Sequence, residues 1–305
     1  MRLTHSRAVW LMVAAPLMWS IAGVVTRQLE QARSFEVTFW RSFFTALSLL
    51  VILPLWQGKG VFARMPWGRA AFWVSGVGWS IMFTAFMVAL TLTTVANVLI
   101  TLAIGPLLTA LIARLVLSQP IALRTWGAIA AGGLGVGYMY SAQLMLGDAS
   151  AIVGSLVALC VPVAAAINFT VVQRSQAEGH ARIDLVPSVL LGAVISALLT
   201  LPLAWPLSAS PTDISWLALL GLVQLAIPCT LLVICARVLQ APEISLLALL
   251  EIIFGILWAW LGAGETPSFQ VLLGGTLVVG ALATNELLAW RERMFLRQPS
   301  SSPLS

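Results

Sequence analysis

Charge is what this sequence most lacks. Asp, Glu, Lys and Arg together make up 9% of its 305 residues, against about 25% in a soluble domain. Hydrophobic residues supply 60%, and the mean hydropathy is +0.99. A soluble chain of this length has nowhere to hide so much apolar surface, which leaves the bilayer as its solvent. Histidine is also scarce. His5 and His180 fall in polar segments rather than inside apolar runs, which counts against an intramembrane metal or Ser/His site. The three cysteines, Cys160, Cys229 and Cys235, lie in apolar stretches without metal or redox spacing and read as packing residues. A Walker-type loop is missing, so direct ATP drive is not expected, and no cofactor is implied. The net charge of +5 comes from basic residues scattered singly, unlike the clustered footprint of a nucleic-acid binder. The loops Gln57–Arg69 and Arg174–Leu185 are the largest between apolar runs, too short to fold alone.

What is present is a series of ten apolar segments, each long enough to span a bilayer. They cover approximately 8–26, 37–56, 70–91, 94–115, 125–141, 149–173, 186–206, 214–236, 243–262 and 268–289. The opening, MRLTHSRAVWLMVAAPLMWS, has the basic start and apolar run of a signal peptide. Its run continues to about Thr26 and carries Trp10 and Trp19, which suits a retained first helix better. Orientation follows from the basic residues. With the amino terminus inside, thirteen of the 16 fall on the inner side, Arg27 and Arg33 fall outside, and Arg41 lies within the second span. Both termini are therefore expected in the cytoplasm, and the chain is expected to be a multi-pass membrane protein.

The halves repeat one another. Ala241–Thr266 carries Glu251 and ends in Gly264-Glu265-Thr266; Ala96–Pro120 repeats it, with Gly105-Pro106 in place of Glu251-Ile252. Pro16 recurs as Pro162, and Leu53-Pro54-Leu55 as Leu201-Pro202-Leu203. The expected fold is all-α and polytopic. Ten transmembrane helices form a first five-helix repeat over 1–145 and a second over 146–290, followed by a cytoplasmic tail at 291–305. Five is odd, so the second repeat enters the membrane inverted, the architecture of many secondary transporters. Shared apolar composition is the alternative to true duplication. The segment Trp290–Arg297 reads as a basic stretch at the lipid surface.

These residues are similar to a known pattern. Trp19 followed by Arg27, Arg41 in TFWRSFFTALSLL, Ala89-Leu90 before the Pro106 helix, and LLALLEIIFGILWAWLGAGE together resemble the EamA-like transporters of the drug/metabolite transporter superfamily. The last piece is close to that family's "LEP…GE" pattern, with Ile252 in place of the usual proline and Gln119 in place of an acid closing the fourth span. The resemblance implies an exporter, in the cell's inner membrane, of small organic solutes such as amino acids, nucleosides or drugs. It further implies a central cavity lined by both repeats, with the fifth and tenth helices towards the back.

Polar and aromatic residues at depth are the candidates for the solute path. Glu251 is either a cavity carboxylate that pairs with substrate or carries a coupling proton, or an interhelical hydrogen-bond clamp. Arg41 lies about one turn below the membrane surface. It is read either as a snorkelling or capping residue, or as a gate cation facing an anionic solute or an ion-pair partner. Asn97, Asn168 and Gln224 should point inward, as pocket groups or as helix-to-helix glue; Thr101, one turn beyond Asn97, joins them. Trp79 and Phe83 share one helix face and form either a wall for an aromatic solute or a packing surface. Trp19 and Trp258 are deep as well, whereas Trp10, Trp56, Trp67, Trp73, Trp126, Trp205, Trp216 and Trp290 read as interfacial belt. Pro16, Pro106, Pro162 and Pro228 each remove a backbone hydrogen bond inside a span, giving either a moving hinge or a fixed kink. The glycines at 132, 133, 135 and 137 and at 274, 275 and 280 allow close helix approach, within the chain or across a homodimer seam. Alternating access around a midplane cavity is the leading mechanism. A membrane-embedded enzyme is the rival that the unpaired Glu251 argues against; a channel or a scaffold without transport is the other.

Overall fold

The structure, a computed structural model, describes residues 4–32, 34–118, 121–146, 148–177, 184–235, 239, 247–248 and 250–297. Outside these fall Gln119 and Pro120, His180 and Arg182, most of the stretch that leads into Glu251, and the last eight residues.

The described residues form ten helical units. They are α1 (His5–Trp19, resumed as Ile21–Thr26), α2 (Ser34–Gln57), α3 (Ala70–Leu92) and α4 (Val95–Ala103 and Gly105–Leu117). Next come α5 (Leu123–Leu146), α6 (Ala149–Ala177) and α7 (Pro187–Ala204). The unit α8 starts at Pro211–Leu219, widens into a π-helix at Leu220–Ala226 and ends as Ile227–Cys235; α9 (Leu250–Ala263) and α10 (Phe269–Arg297) follow. Eight of these units are long and apolar enough to cross a membrane. Two expected spans are not among the eight. The unit α9 is described over 14 residues only, and α5, although 24 residues long, is diluted by five glycines and two tyrosines between Gly127 and Tyr140.

Apolar side chains cover the outside of the bundle as well as its core. Leu55, Leu115, Leu123 and Leu134 are among its most exposed residues, and Leu198, Leu199 and Leu203 line the outer face of α7. In water such a surface would aggregate; against lipid tails it is in its proper solvent.

The main helix pairings are symmetric under exchange of the two halves. The pairs α3–α6, α4–α6 and α3–α7 recur five units on as α8–α1, α9–α1 and α8–α2, while α2–α7, α4–α9 and α5–α10 map onto themselves. Glycine sets the closest of these crossings. A Cβ on Gly135 of α5 would lie 2.7 Å from the Gly274 carbonyl oxygen of α10, and one on Gly274 only 2.5 Å from that of Gly135. Backbones this close leave no room for any side chain. The ion pair Arg124–Glu292 and the hydrogen bond from Thr125 to Asn285 (2.8 Å) add to the same seam. The crossing of α3 with α7 uses Gly76 and Gly192 in the same way.

Candidate functional site

Arg41 does not reach for the surface. Its side chain is 1% exposed and runs inward from α2 between α3 and α8. Nη1 donates to Gln224 Oε1 at 2.9 Å, and Nη2 donates to the Phe83 carbonyl at 2.9 Å. The guanidinium lies 5.7 Å from the centroid of the Phe83 ring and 5.6 Å from that of Phe86, within range of cation–π attraction. The snorkelling alternative is therefore corrected: with polar partners available inward on two neighbouring helices, the side chain turns into the bundle. Its Nε is buried without a hydrogen-bond partner. Among the described residues no carboxylate pairs with it.

Gln224 owes its position to the π-helix. Pro228, the second residue after that turn, lacks an N–H, and its ring would crowd the carbonyl four residues earlier, which is that of Gln224 itself; the wider turn relieves the clash. Gly221 lets this part of α8 approach α2, since a Cβ there would sit 2.6 Å from Phe44 Cβ and 2.8 Å from the Thr45 nitrogen. Thr45 Oγ1 in turn donates to the Arg41 carbonyl at 2.8 Å. Beside them, Ser196 of α7 meets Ser42 of α2 at 3.0 Å and Thr84 of α3 at 2.9 Å.

Cys229 of α8 faces α1 beside this group. It is buried in one cluster with Phe83, Leu225 and Ala226, and Trp19 packs against that cluster. Trp19, Arg41, Phe83 and Gln224 are thus brought to one place from four helices. Sequence reasoning assigned Cys229 to packing and missed Phe86; the recurrence of Phe three residues after Phe83 was the available signal. Glu251 is half-buried in the first turn of α9 as described.

The other candidates lie elsewhere. Trp79 and Phe83 do stack along α3, with ring centroids 5.6 Å apart, but Trp79 packs onto Gly192 of α7. Asn168 is buried against Gly78, where a Cβ would be 3.4 Å from its own, and its Oδ1 has no partner. Asn97 belongs to the end of the bundle where α1 finishes and α2 begins. Its Nδ2 donates to Thr93 Oγ1 at 3.0 Å, while its Oδ1 is buried without a partner. Thr101 is committed to a tie between α4, α5 and α6: its hydroxyl meets Tyr140 OH at 2.7 Å, and that phenol donates to the Ser155 carbonyl at 2.9 Å. Trp258 is half-buried with its Nε1 unpartnered.

The four prolines behave differently from one another. After Pro16, α1 is interrupted at Ser20, whose N–H reaches the Pro16 carbonyl at 2.9 Å. Pro162 leaves α6 continuous. Pro106 lies inside the span Val95–Val116, as expected, but at a helix break. The unit α4 breaks at Ile104, and Pro106 takes the first turn of the second piece, where a missing N–H costs nothing.

A second polar system, also missed, closes the end of the bundle where α1 meets α2. Arg27 Nε pairs with Glu265 Oε2 at 3.2 Å, and its Nη2 donates to the Thr93 carbonyl at 2.7 Å. Glu265 Oε1 also accepts the Val95 N–H at 2.7 Å. The positive φ of Gly264, +65°, turns the chain so that Glu265 reaches this spot. Nearby, Asp213 accepts the N–H groups of Glu30, Gln31 and Ala32, each at 3.0 Å, and caps its own helix through Ser210. Glu36 accepts from the Ala209 nitrogen at 2.7 Å and the Ser208 nitrogen at 2.9 Å. Each acid thus holds the loop of the other half.

The sequence profile of the EamA-like transporter family matches this chain twice, over residues 6–141 and 152–285. The chain belongs to the EamA-like transporter family. This EamA-like protein is accordingly a member of the drug/metabolite transporter superfamily and a multi-pass membrane protein. A solved crystal structure superposes on it with a TM-score of 0.63 at 19% identity, covering 95% of this chain and 99% of the other; at that identity the likeness is one of fold. No curated protein matches it.

Proposed function

We propose that this EamA-like protein is a secondary transporter that exports small organic metabolites, such as amino acids, nucleosides or drugs, across the inner membrane. Ten spans in two inverted five-helix repeats, over 1–145 and 146–290, rock around a central site, with both termini in the cytoplasm. One observation carries this reading. The buried polar group of Arg41 and Gln224, with Cys229 beside it, draws its members from α2 in one half and α8 in the other, where a transporter of this architecture keeps its solute. In this orientation the Arg27–Glu265, Asp213 and Glu36 contacts lie on the outside and hold that side shut, so release outward requires that they part. The bilayer is the surrounding partner, no cofactor takes part, and a homodimer is one way of covering the outer faces of α5 and α10.

The test is a tolerance screen. The chain is expressed in a sensitive bacterial host challenged with toxic amino-acid analogues, nucleosides and dyes, and solutes that score are followed in proteoliposomes. Protection by the wild-type chain, with flux down an imposed gradient, is the expected result. Equal sensitivity of host and expressing strain to every class, with no flux, removes the transporter reading.

A further inference from the structure

The transporter reading leaves open what kind of solute the central site takes, and the surroundings of Arg41 bear on that. A guanidinium carries five N–H donors. The described contacts use one on Nη1 and one on Nη2, while Nε is buried with no partner. The partners it does have are a neutral amide and a neutral carbonyl, and no described carboxylate forms an ion pair with it. A cation taken out of water without a counter-charge costs several kcal/mol in effective terms. A fixed cation for structure alone is better served by an internal acid, as Arg27 is served by Glu265.

We propose that the free edge of Arg41, Nε–H together with the unused Nη–H beside it, binds the carboxylate of the transported solute. The solute class is a small organic monocarboxylate with an apolar body. The guanidinium fork matches a carboxylate in a bidentate fashion. One negative charge balances Arg41, whereas a dianionic phosphate would leave a surplus charge in a buried site. The guanidinium lies over the rings of Phe83 and Phe86, and Trp19 and Phe83 supply the apolar wall. Gln224 orients Arg41 through Nη1 without neutralising it. This inference rests on the transporter reading, because it assigns a solute group to that same site.

The experiment measures binding and flux separately on the full-length chain in lipid nanodiscs and proteoliposomes. The probes are acetate, phenylacetate and 3-phenylpropanoate, each against its own amide and against the amine of the same skeleton. For at least one skeleton the carboxylate should bind tenfold or more tightly than the amide, and the amine more weakly still. Arg41→Gln should abolish that preference and Arg41→Lys should keep part of it. Because Arg41→Gln can fail to fold, Gln224→Glu serves as the second variant. It supplies an internal carboxylate to Arg41, so it should melt no lower than wild type and yet lose the preference. Carboxylate and amide binding alike, no carboxylate bound at all, or a preference that survives in folded Arg41→Gln or Gln224→Glu each overturns the proposal. A wild-type chain that binds carboxylates selectively and moves none upholds the anion site and removes the transporter reading; one that moves amides and carboxylates equally does the reverse.

Discussion

Arg27 and Glu265 lie 238 positions apart in the sequence and meet at 3.2 Å, one from each matched half of the chain. An exposed ion pair contributes about 0–1 kcal/mol. This one sits partly buried, and both its members also hold backbone: Arg27 grips the ends of α3, and Glu265 grips the first N–H of α4. It acts as a joint between four helices.

Glu265→Gln should therefore loosen that end of the bundle. The expected outcome is a several-fold rise in the thiol-reagent labelling of a cysteine placed at Thr94 in a cysteine-free background. The charge swap Arg27→Glu with Glu265→Arg should recover little, because the Leu90 and Thr93 carbonyls would then face a carboxylate. Labelling unchanged by Glu265→Gln would mean that the joint does not hold this end closed.

Asp213 carries more than its own helix. Replacing it with alanine strands the N–H groups of Glu30, Gln31 and Ala32, at about 1–3 kcal/mol for each buried donor left unmade. Thermal melting in detergent should fall clearly for Asp213→Ala and less for Asp213→Asn, which keeps one acceptor oxygen. Identical melting of all three would show that water replaces the clamp at no cost.

Glu251 stands half-buried in the first turn of α9 as described. If it carries the coupling proton, Glu251→Gln should flatten the pH dependence of flux in proteoliposomes while the protein stays monodisperse. A pH profile that keeps its shape assigns Glu251 to helix packing instead.

Asn168 offers a test in which stability and binding separate. Its Oδ1 is already without a partner, so Asn168→Ala should leave melting unchanged or raise it. If the residue borders the solute path, KM for a transported solute should shift several-fold all the same. Trp79→Ala should shift selectivity but also lower melting, since the side chain packs on Phe83 and the core cluster around it. Normal kinetics with every solute would remove both from the path.

The glycines of α5 divide by the face they occupy. Gly135→Leu should unfold or strongly destabilise the chain, because the Gly274 carbonyl fills the space. Gly133 meets nothing within 4 Å, so Gly133→Leu should be neutral in a monomer and should lower the oligomeric state only if that face is a seam. Sedimentation of the two variants distinguishes these cases.

Much of this architecture was legible before any coordinates. Apolar runs and prolines recurring at a fixed offset announce a duplicated helical bundle, and Arg41 and Glu251 stand out because ionisable groups at depth are costly. The direction in which Arg41 points was not legible, since its stem is long enough to reach either lipid surface or bundle interior. The break beside Pro106 was not legible, because an apolar run conceals it; Gly105 just before it marks where the new piece begins. Cys229 carries no sequence signal beyond its apolar setting, and only the meeting of α1, α2, α3 and α8 makes it central. Glu36 and Asp213 lie at the ends of helices, where acids normally face water, and the backbone groups they hold come from loops more than a hundred residues away.

The π-helix at Leu220–Ala226 has a consequence for how this family member can vary. A π turn accommodates one residue more than an α turn, so the two ends of the eighth unit are out of phase with a regular helix. Deleting one residue there would restore ideal winding, and roughly 100° of rotation would carry the amide of Gln224 off the guanidinium and lay an aliphatic neighbour against it. The most regular version of this segment is thus the one that disarms the site, and length, more than composition, is what has to be kept between Pro211 and Pro228.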